Sequence, residues 1–118
     1  MKRLTTIKVT PEFVEIEKRL LEKTGLSKAA FHRKALEHFL EGSMEIDPDL
    51  RITERTNPAY VKKTEREGIY LTDDMRERLK EVAQEKGIKY TVLTFQALLN
   101  YCVYMVEYFP EVGGICNE

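Results

Sequence analysis

One offset constrains this chain more than any other feature. Residues 5–42 slide by 62 positions onto residues 67–104 without a gap. Ile7 lands on Ile69, Val9 on Leu71, Thr10 on Thr72, Phe13 on Met75 and Leu20 on Val82. Gly25-Leu26 lands on Gly87-Ile88. Beyond the glycine, Ala30, Phe31, Ala35, Leu36, Phe39 and Leu40 land on Val92, Leu93, Ala97, Leu98, Tyr101 and Cys102. Identity is low, but apolar meets apolar, and the hydroxyl cap and the glycine coincide. Two amphipathic helices can be matched at some offset by chance. A strand, a cap, a glycine turn and a second helix matching at one offset is a far stricter condition.

Each copy reads the same way. Thr6-Ile7-Lys8-Val9 alternates polar and apolar, the pattern of a strand buried on one face, and Gly68-Ile69-Tyr70-Leu71 keeps that parity. Thr10-Pro11 starts a helix: the hydroxyl caps it, and proline lacks only an N–H that would have no partner there. Thr72-Asp73-Asp74 starts its counterpart, with acids at the positive end of the helix dipole. The first helix is predicted over residues 11–24, with Phe13, Ile16 and Leu20 on one stripe. The matching helix is predicted over 73–86. Gly25 and Gly87 supply the left-handed stop. Ser27 caps a second helix running to Glu41; its counterpart starts near Lys89 or Thr91 and continues toward Tyr108 or Phe109, ahead of Pro110.

The expected organisation is a first unit at 1–42, a linker at 43–65, a second unit at 66–109 and a tail at 110–118, the units sharing one core. Asp47-Pro48 and Asn57-Pro58 are turn signals in the linker. Leu50 to Thr56 is read as a short strand, and Tyr60 to Arg66 as a short helix. The net charge of −1 hides a strong polarity. Residues 1–34 carry nine Lys/Arg against four acids, and 35–50 carry five acids and no Lys or Arg. Residues 51–66 are basic again, and 67–118 are acidic. A basic N-terminal third can neutralise phosphates while acidic parts face elsewhere. No apolar run has the length of a membrane span, and no apolar stretch follows Met1-Lys2-Arg3, so a soluble cytoplasmic protein is expected. Cys102 and Cys116 form no disulfide framework; Cys102 falls on an apolar face and Cys116 in the tail.

Strand, helix, glycine turn and helix within about forty residues resembles the ribbon-helix-helix family of DNA-binding proteins, the Arc/MetJ/CopG type. The residues that carry the resemblance are Lys2-Arg3-Leu4-Thr5-Thr6-Ile7-Lys8-Val9-Thr10 and Gly25-Leu26-Ser27-Lys28. The second copy is more divergent, with Tyr90 and Thr91 where a small cap is expected. The fold implied is mainly α with a short antiparallel β-ribbon, a tandem ribbon-helix-helix arrangement forming a single-chain pseudo-dimer. The function implied is that of a transcriptional regulator, expected to be a repressor, whose ribbon enters the major groove of double-stranded DNA.

With Ile7 and Val9 inward, alternation turns Leu4, Thr6 and Lys8 outward, and Arg66, Gly68 and Tyr70 in the second copy. Thr6, Lys8, Arg66 and Tyr70 are the candidate base contacts: Lys8 and Arg66 can donate to guanine, and Thr6 can touch a thymine methyl. The resemblance makes Ser27, Lys28 and Ala29, with Lys89 and Tyr90, candidates for phosphate; Lys2 and Arg3 add unspecific attraction. Pairing of the copies within one chain or between chains is left open, with tethering favouring the intrachain form.

Met105, Tyr108 and Phe109 lie where the second copy outruns the first. They either pack over their own core or form an interface for self-association and cooperative binding. An antitoxin-like module, with a DNA-binding N-terminal half and a protein-binding C-terminal half, is the alternative from another class. No enzyme signature is present: there is no Cys-x-x-Cys, no Gly-rich phosphate loop and no nucleophile elbow. No cofactor, metal or membrane partner is expected. His32 and His38, six apart on a helix, do not share a face and are expected at the surface or its boundary.

Overall fold

The computed structural model describes residues 2–42 and 45–110. The tail beyond 110, with Cys116, lies outside the described residues, as does the side chain of Lys2. The order of elements is β1 Lys2–Val9, α1 Pro11–Thr24, α2 Lys28–Glu41, a 3-10 helix Pro48–Arg51, β2 Glu65–Thr72, α3 Asp73–Lys86 and α4 Tyr90–Val106. The chain is mainly helical, and its two strands form one antiparallel sheet.

Local signals set the helix ends. Phe13 N–H donates to Thr10 Oγ1 at 3.2 Å, and Met75 N–H donates to Thr72 Oγ1 at 3.1 Å, so both helices that follow a strand begin on a threonine cap. Both end on a glycine in the left-handed region, Gly25 at φ 73° and Gly87 at φ 69°. The bounds of α1 and α3 differ by 62 residues at each end, and α2 and α4 begin 62 apart. Ser27 caps α2 by accepting from Ala30 N–H, whereas Lys89 precedes α4 without a side-chain cap.

The ribbon is intrachain. Its register pairs Lys2 with Thr72, Leu4 with Tyr70, Thr6 with Gly68, Ile7 with Glu67 and Lys8 with Arg66. Thr6 and Gly68 are themselves 62 apart, so the register is centred on positions that match in the sequence offset. Thr5, Ile7, Val9, Glu67, Ile69 and Leu71 are buried beneath it; Leu4, Thr6, Lys8, Arg66, Gly68 and Tyr70 are exposed above it.

α4 is the central helix, packing on α1, α2, α3 and β1. Every residue from Leu93 to Leu98 is buried, so this stretch of α4 is covered on all sides, as its nearly continuous apolar sequence requires. The linker supplies part of that cover. Gln96 Oε1 accepts from the Asp47 backbone N–H at 2.8 Å, and Asn100 Nδ2 donates to Glu45 O at 3.4 Å. Leu50 is buried in the same core. Phe13 meets Phe95 edge-on, with ring centroids 5.6 Å apart, tying α1 to α4.

The linker differs from expectation. Leu50 lies in the 3-10 helix, not a strand, because Asp47 Oδ1 accepts from Asp49 N–H and Pro48 starts the turn. No helix forms over 60–66 either; Glu65 and Arg66 are drawn into β2 by pairing with Val9 and Lys8. α4 ends at Val106, short of the expected Tyr108 or Phe109. No helix among the described residues is long and apolar enough to cross a membrane.

Candidate nucleic-acid interface

The outer face of the ribbon is built by alternation alone. Once Ile7, Val9, Ile69 and Leu71 are in the core, their neighbours must point the other way. Among the residues whose side chains are described, the result is three cross-strand pairs along one exposed surface: Leu4 opposite Tyr70, Thr6 opposite Gly68, and Lys8 opposite Arg66. Tyr70 is 62% exposed and Leu4 56%. A Cβ on Gly68 would stand 2.9 Å from Leu4 Cδ1, so Leu4 lies across the glycine at the middle of the ribbon. Among the described side chains the face is polarised: Lys8 and Arg66 stand at one end and Leu4 and Tyr70 toward the other, beyond which the register pairs Lys2 with Thr72.

All four candidate base contacts, Thr6, Lys8, Arg66 and Tyr70, are therefore brought to one surface. Leu4 belongs with them. Its parity turns it outward in the sequence already, although an apolar side chain is not usually read as a recognition residue.

The candidate phosphate contacts fare unevenly. Lys89 and Ala29 are exposed. Ser27 is exposed, but its hydroxyl oxygen accepts from Ala30 N–H at 3.1 Å. Arg3 pairs with Asp73 at 3.5 Å. Tyr90 is half-buried, with the Lys80 ammonium 5.6 Å from its ring centroid. Lys28 is turned toward two acids, 3.4 Å from Glu67 Oε1 and 3.9 Å from Glu17 Oε1. Among the candidate interface residues, Met105 and Phe109 pack against the protein's own core, whereas Tyr108 is 64% exposed. Its hydroxyl lies 3.3 Å from that of Tyr104.

Lys28 leads to the polar feature the sequence did not reveal. Glu17 of α1, His32 of α2 and Glu67 of β2 are buried together beneath the ribbon. His32 Nε2 is 3.0 Å from Glu17 Oε2 and 2.9 Å from Glu67 Oε2. His32 is thus not the surface or boundary histidine expected; it sits on the core side of α2, 3% exposed. His38 is exposed and lies against the Tyr104 ring.

Burial pushes the Glu17 carboxyl up to about 7, with Glu67 adding to the rise and His32 opposing it. Burial by itself lowers His32, but its hydrogen bonds to both carboxylates outweigh that and raise it. Burial raises Glu67, yet the bonds from His32 and Glu17 and the nearby Lys28 charge hold it below the usual carboxylate range. The consistent protonation is a charged imidazolium whose Nε2–H is shared by the acids, an ionised Glu67, and a Glu17 that keeps its proton near neutrality. The three donor atoms lie within 4.8 Å of one another, the spacing of a set that can hold a metal ion. Lys28 already stands at the mouth of the cluster, so the ionised Glu67 faces two cations, Lys28 and the imidazolium, which disfavours a further cation there.

The chain matches no protein-family model, no curated protein and no solved structure.

Proposed function

We propose that this chain is a sequence-specific, double-stranded DNA-binding transcriptional regulator of the ribbon-helix-helix type. The two units form a single-chain pseudo-dimer, and the ribbon enters the major groove. One observation carries the reading. A two-stranded antiparallel ribbon leaves Leu4, Thr6, Lys8, Arg66 and Tyr70 uncovered on one face while its other face is sealed into the core. A B-DNA major groove, about 12 Å wide, admits a two-stranded ribbon. Lys8 and Arg66 then donate to guanine O6 and N7, Thr6 bonds or touches a base edge, and Leu4 with Tyr70 meets thymine methyl groups.

The polarity of the face gives the mechanism its character. A ribbon made of unlike strands presents cations to one half of its site and apolar groups to the other, so it reads an asymmetric sequence. The regulatory outcome we propose is repression by occupancy. The exposed Tyr108, with Val103 at 67% exposure and Tyr104 at 39%, supports self-association between neighbouring molecules on DNA.

Site selection from random duplex by the purified protein tests the reading. The expected product is a non-palindromic site with a G-rich half. Against that site, Lys8→Ala, Arg66→Ala and Thr6→Ala each cost about 1–3 kcal/mol while random-duplex binding changes far less. Recovery of symmetric half-sites would count against the asymmetric mechanism, and absence of duplex binding at low salt would end the proposal.

A further inference from the structure

Beside the cationic end of the ribbon lies a groove of about 690 Å³, walled by β1, the linker and the α3–α4 turn. Five cationic residues line it: Lys8 from the strand, Arg51, Arg55 and Lys63 from the linker, and Lys89 from the turn. None of its lining residues is acidic. We propose that this groove holds phosphates of the DNA backbone on one flank of the site, making the linker a one-sided clamp rather than a mere tether. The proposal rests on the DNA-binding reading above and adds a contact surface to it.

The argument begins with why the linker stays where it is. Leu50 is buried in the core, and Arg51 Nη1 donates to the Lys86 carbonyl at 2.7 Å. The Asp47 N–H is held by Gln96. The linker is thus fastened to α3 and α4 at the point where its basic stretch begins. Five like charges around one concavity repel each other and raise the local concentration of anions. The groove is continuous with Lys8, which stands opposite Arg66 on the ribbon, so a duplex seated on that ribbon brings a backbone alongside.

The other flank is not equipped in this way. At the positions 62 residues from Lys8 and Lys89 stand Tyr70 and Ser27. The linker residues 51–63 have no counterpart in the offset, because they lie between the copies. The linker cations therefore add backbone attraction on one side only, the side of Lys8 and Arg66.

The experiment measures binding of random-sequence duplex against salt from 50 to 200 mM, by fluorescence anisotropy. The wild type is compared with Arg55→Ala/Lys63→Ala and with Lys18→Ala/Lys34→Ala, which removes the same charge from exposed positions on α1 and α2. Loss of two phosphate contacts lowers the slope of log K against log salt by about 2, roughly tenfold over that range. The expected result is that drop in the groove variant, equal for all duplexes, with a smaller change in the control. A groove variant with the slope of the wild type or of the control overturns the clamp and leaves the ribbon reading standing. A wild type that binds no duplex at 50 mM salt overturns the reading beneath it. Far-ultraviolet circular dichroism of each variant shows that the fold is retained.

Discussion

Beneath the ribbon, the two halves of the chain treat the same three positions in opposite ways. On one side, Glu17 and His32 of the first copy and Glu67 of the second make a buried network of acids and an imidazole, with Lys28 at its rim. The positions 62 residues away hold Leu79, Thr94 and Thr5, also buried. There the polar atoms are few, and Arg76, which reaches Thr5, keeps its Nε buried without a hydrogen-bond partner. Thr94 Oγ1 donates to the Tyr90 carbonyl at 2.7 Å, and Thr5 Oγ1 accepts from Arg76 Nη2 at 3.2 Å. The contrast teaches that the fold does not demand charge at these positions. A buried ion network and an apolar or hydroxyl set fill matching places. The difference lies in what each does when one member is removed, and when pH changes.

The largest effect expected is from breaking the network on one member. His32→Leu leaves the ionised Glu67 buried beside Glu17 without its imidazolium, and should destabilise the chain by about 3–5 kcal/mol in urea unfolding at pH 7. A loss under about 1 kcal/mol would mean the cluster behaves like a surface ion pair, and the contrast would collapse.

A gentler change sharpens it. Replacing the network by the residues of the other half, Glu17→Leu/His32→Thr/Glu67→Thr, removes every buried charge together. Stability should fall by less than in His32→Leu, because no charge is left buried without its partner. The pH profile should change with it. Glu17 is raised from 4.5 to about 7, so its favourable contribution is full below pH 4.5 and is lost as pH climbs to about 7. His32 is raised from 6.5, so its contribution is full below 6.5 and is lost as pH rises through its higher folded value. Glu67 is lowered from 4.5, so its contribution is full above 4.5 and is lost as pH falls through its folded value. The cluster therefore stabilises most near pH 4.5–5 and falls away on both sides. The difference in melting temperature between wild type and the triple variant should trace that dome. A difference that stays flat from pH 4 to 8 would show that the three groups do not titrate as a buried set.

The smallest effect belongs to the second half. Thr94→Val deletes one hydroxyl bonded to a carbonyl of its own helix, and should cost about 1 kcal/mol or less. A cost above about 3 kcal/mol would put that half on the same footing as the first.

Much of the architecture was legible before any coordinates. Thr10, Thr72, Gly25 and Gly87 act within a turn of where they stand, so the ends of α1 and α3 fall where the caps and stops put them. Alternation around Ile7, Val9, Ile69 and Leu71 was enough to turn Thr6, Lys8, Arg66 and Tyr70 outward. The linker departs from expectation for two reasons: the Asp47 cap and Pro48 wind Leu50 into a 3-10 helix through a signal close to it in sequence, whereas Glu65 takes its conformation from a distant partner, β1. His32 departs from expectation for a reason like that of Glu65. On its own helix it looks like a polar residue on a boundary, and the acids that allow its burial lie 15 and 35 residues away.

What the sequence by itself determined is whatever a residue decides within about four positions of itself: helix starts and stops, strand parity, and the 62-residue recurrence of both. Only the tertiary structure decided that β1 pairs with β2 in the same chain with Thr6 opposite Gly68. It alone gathered Glu17, His32 and Glu67, and laid the linker cations beside Lys8. The physical reason is that caps and alternation are short-range steric and hydrogen-bonding preferences. Strand register and buried charge matching are set by which surfaces meet once the whole core has closed.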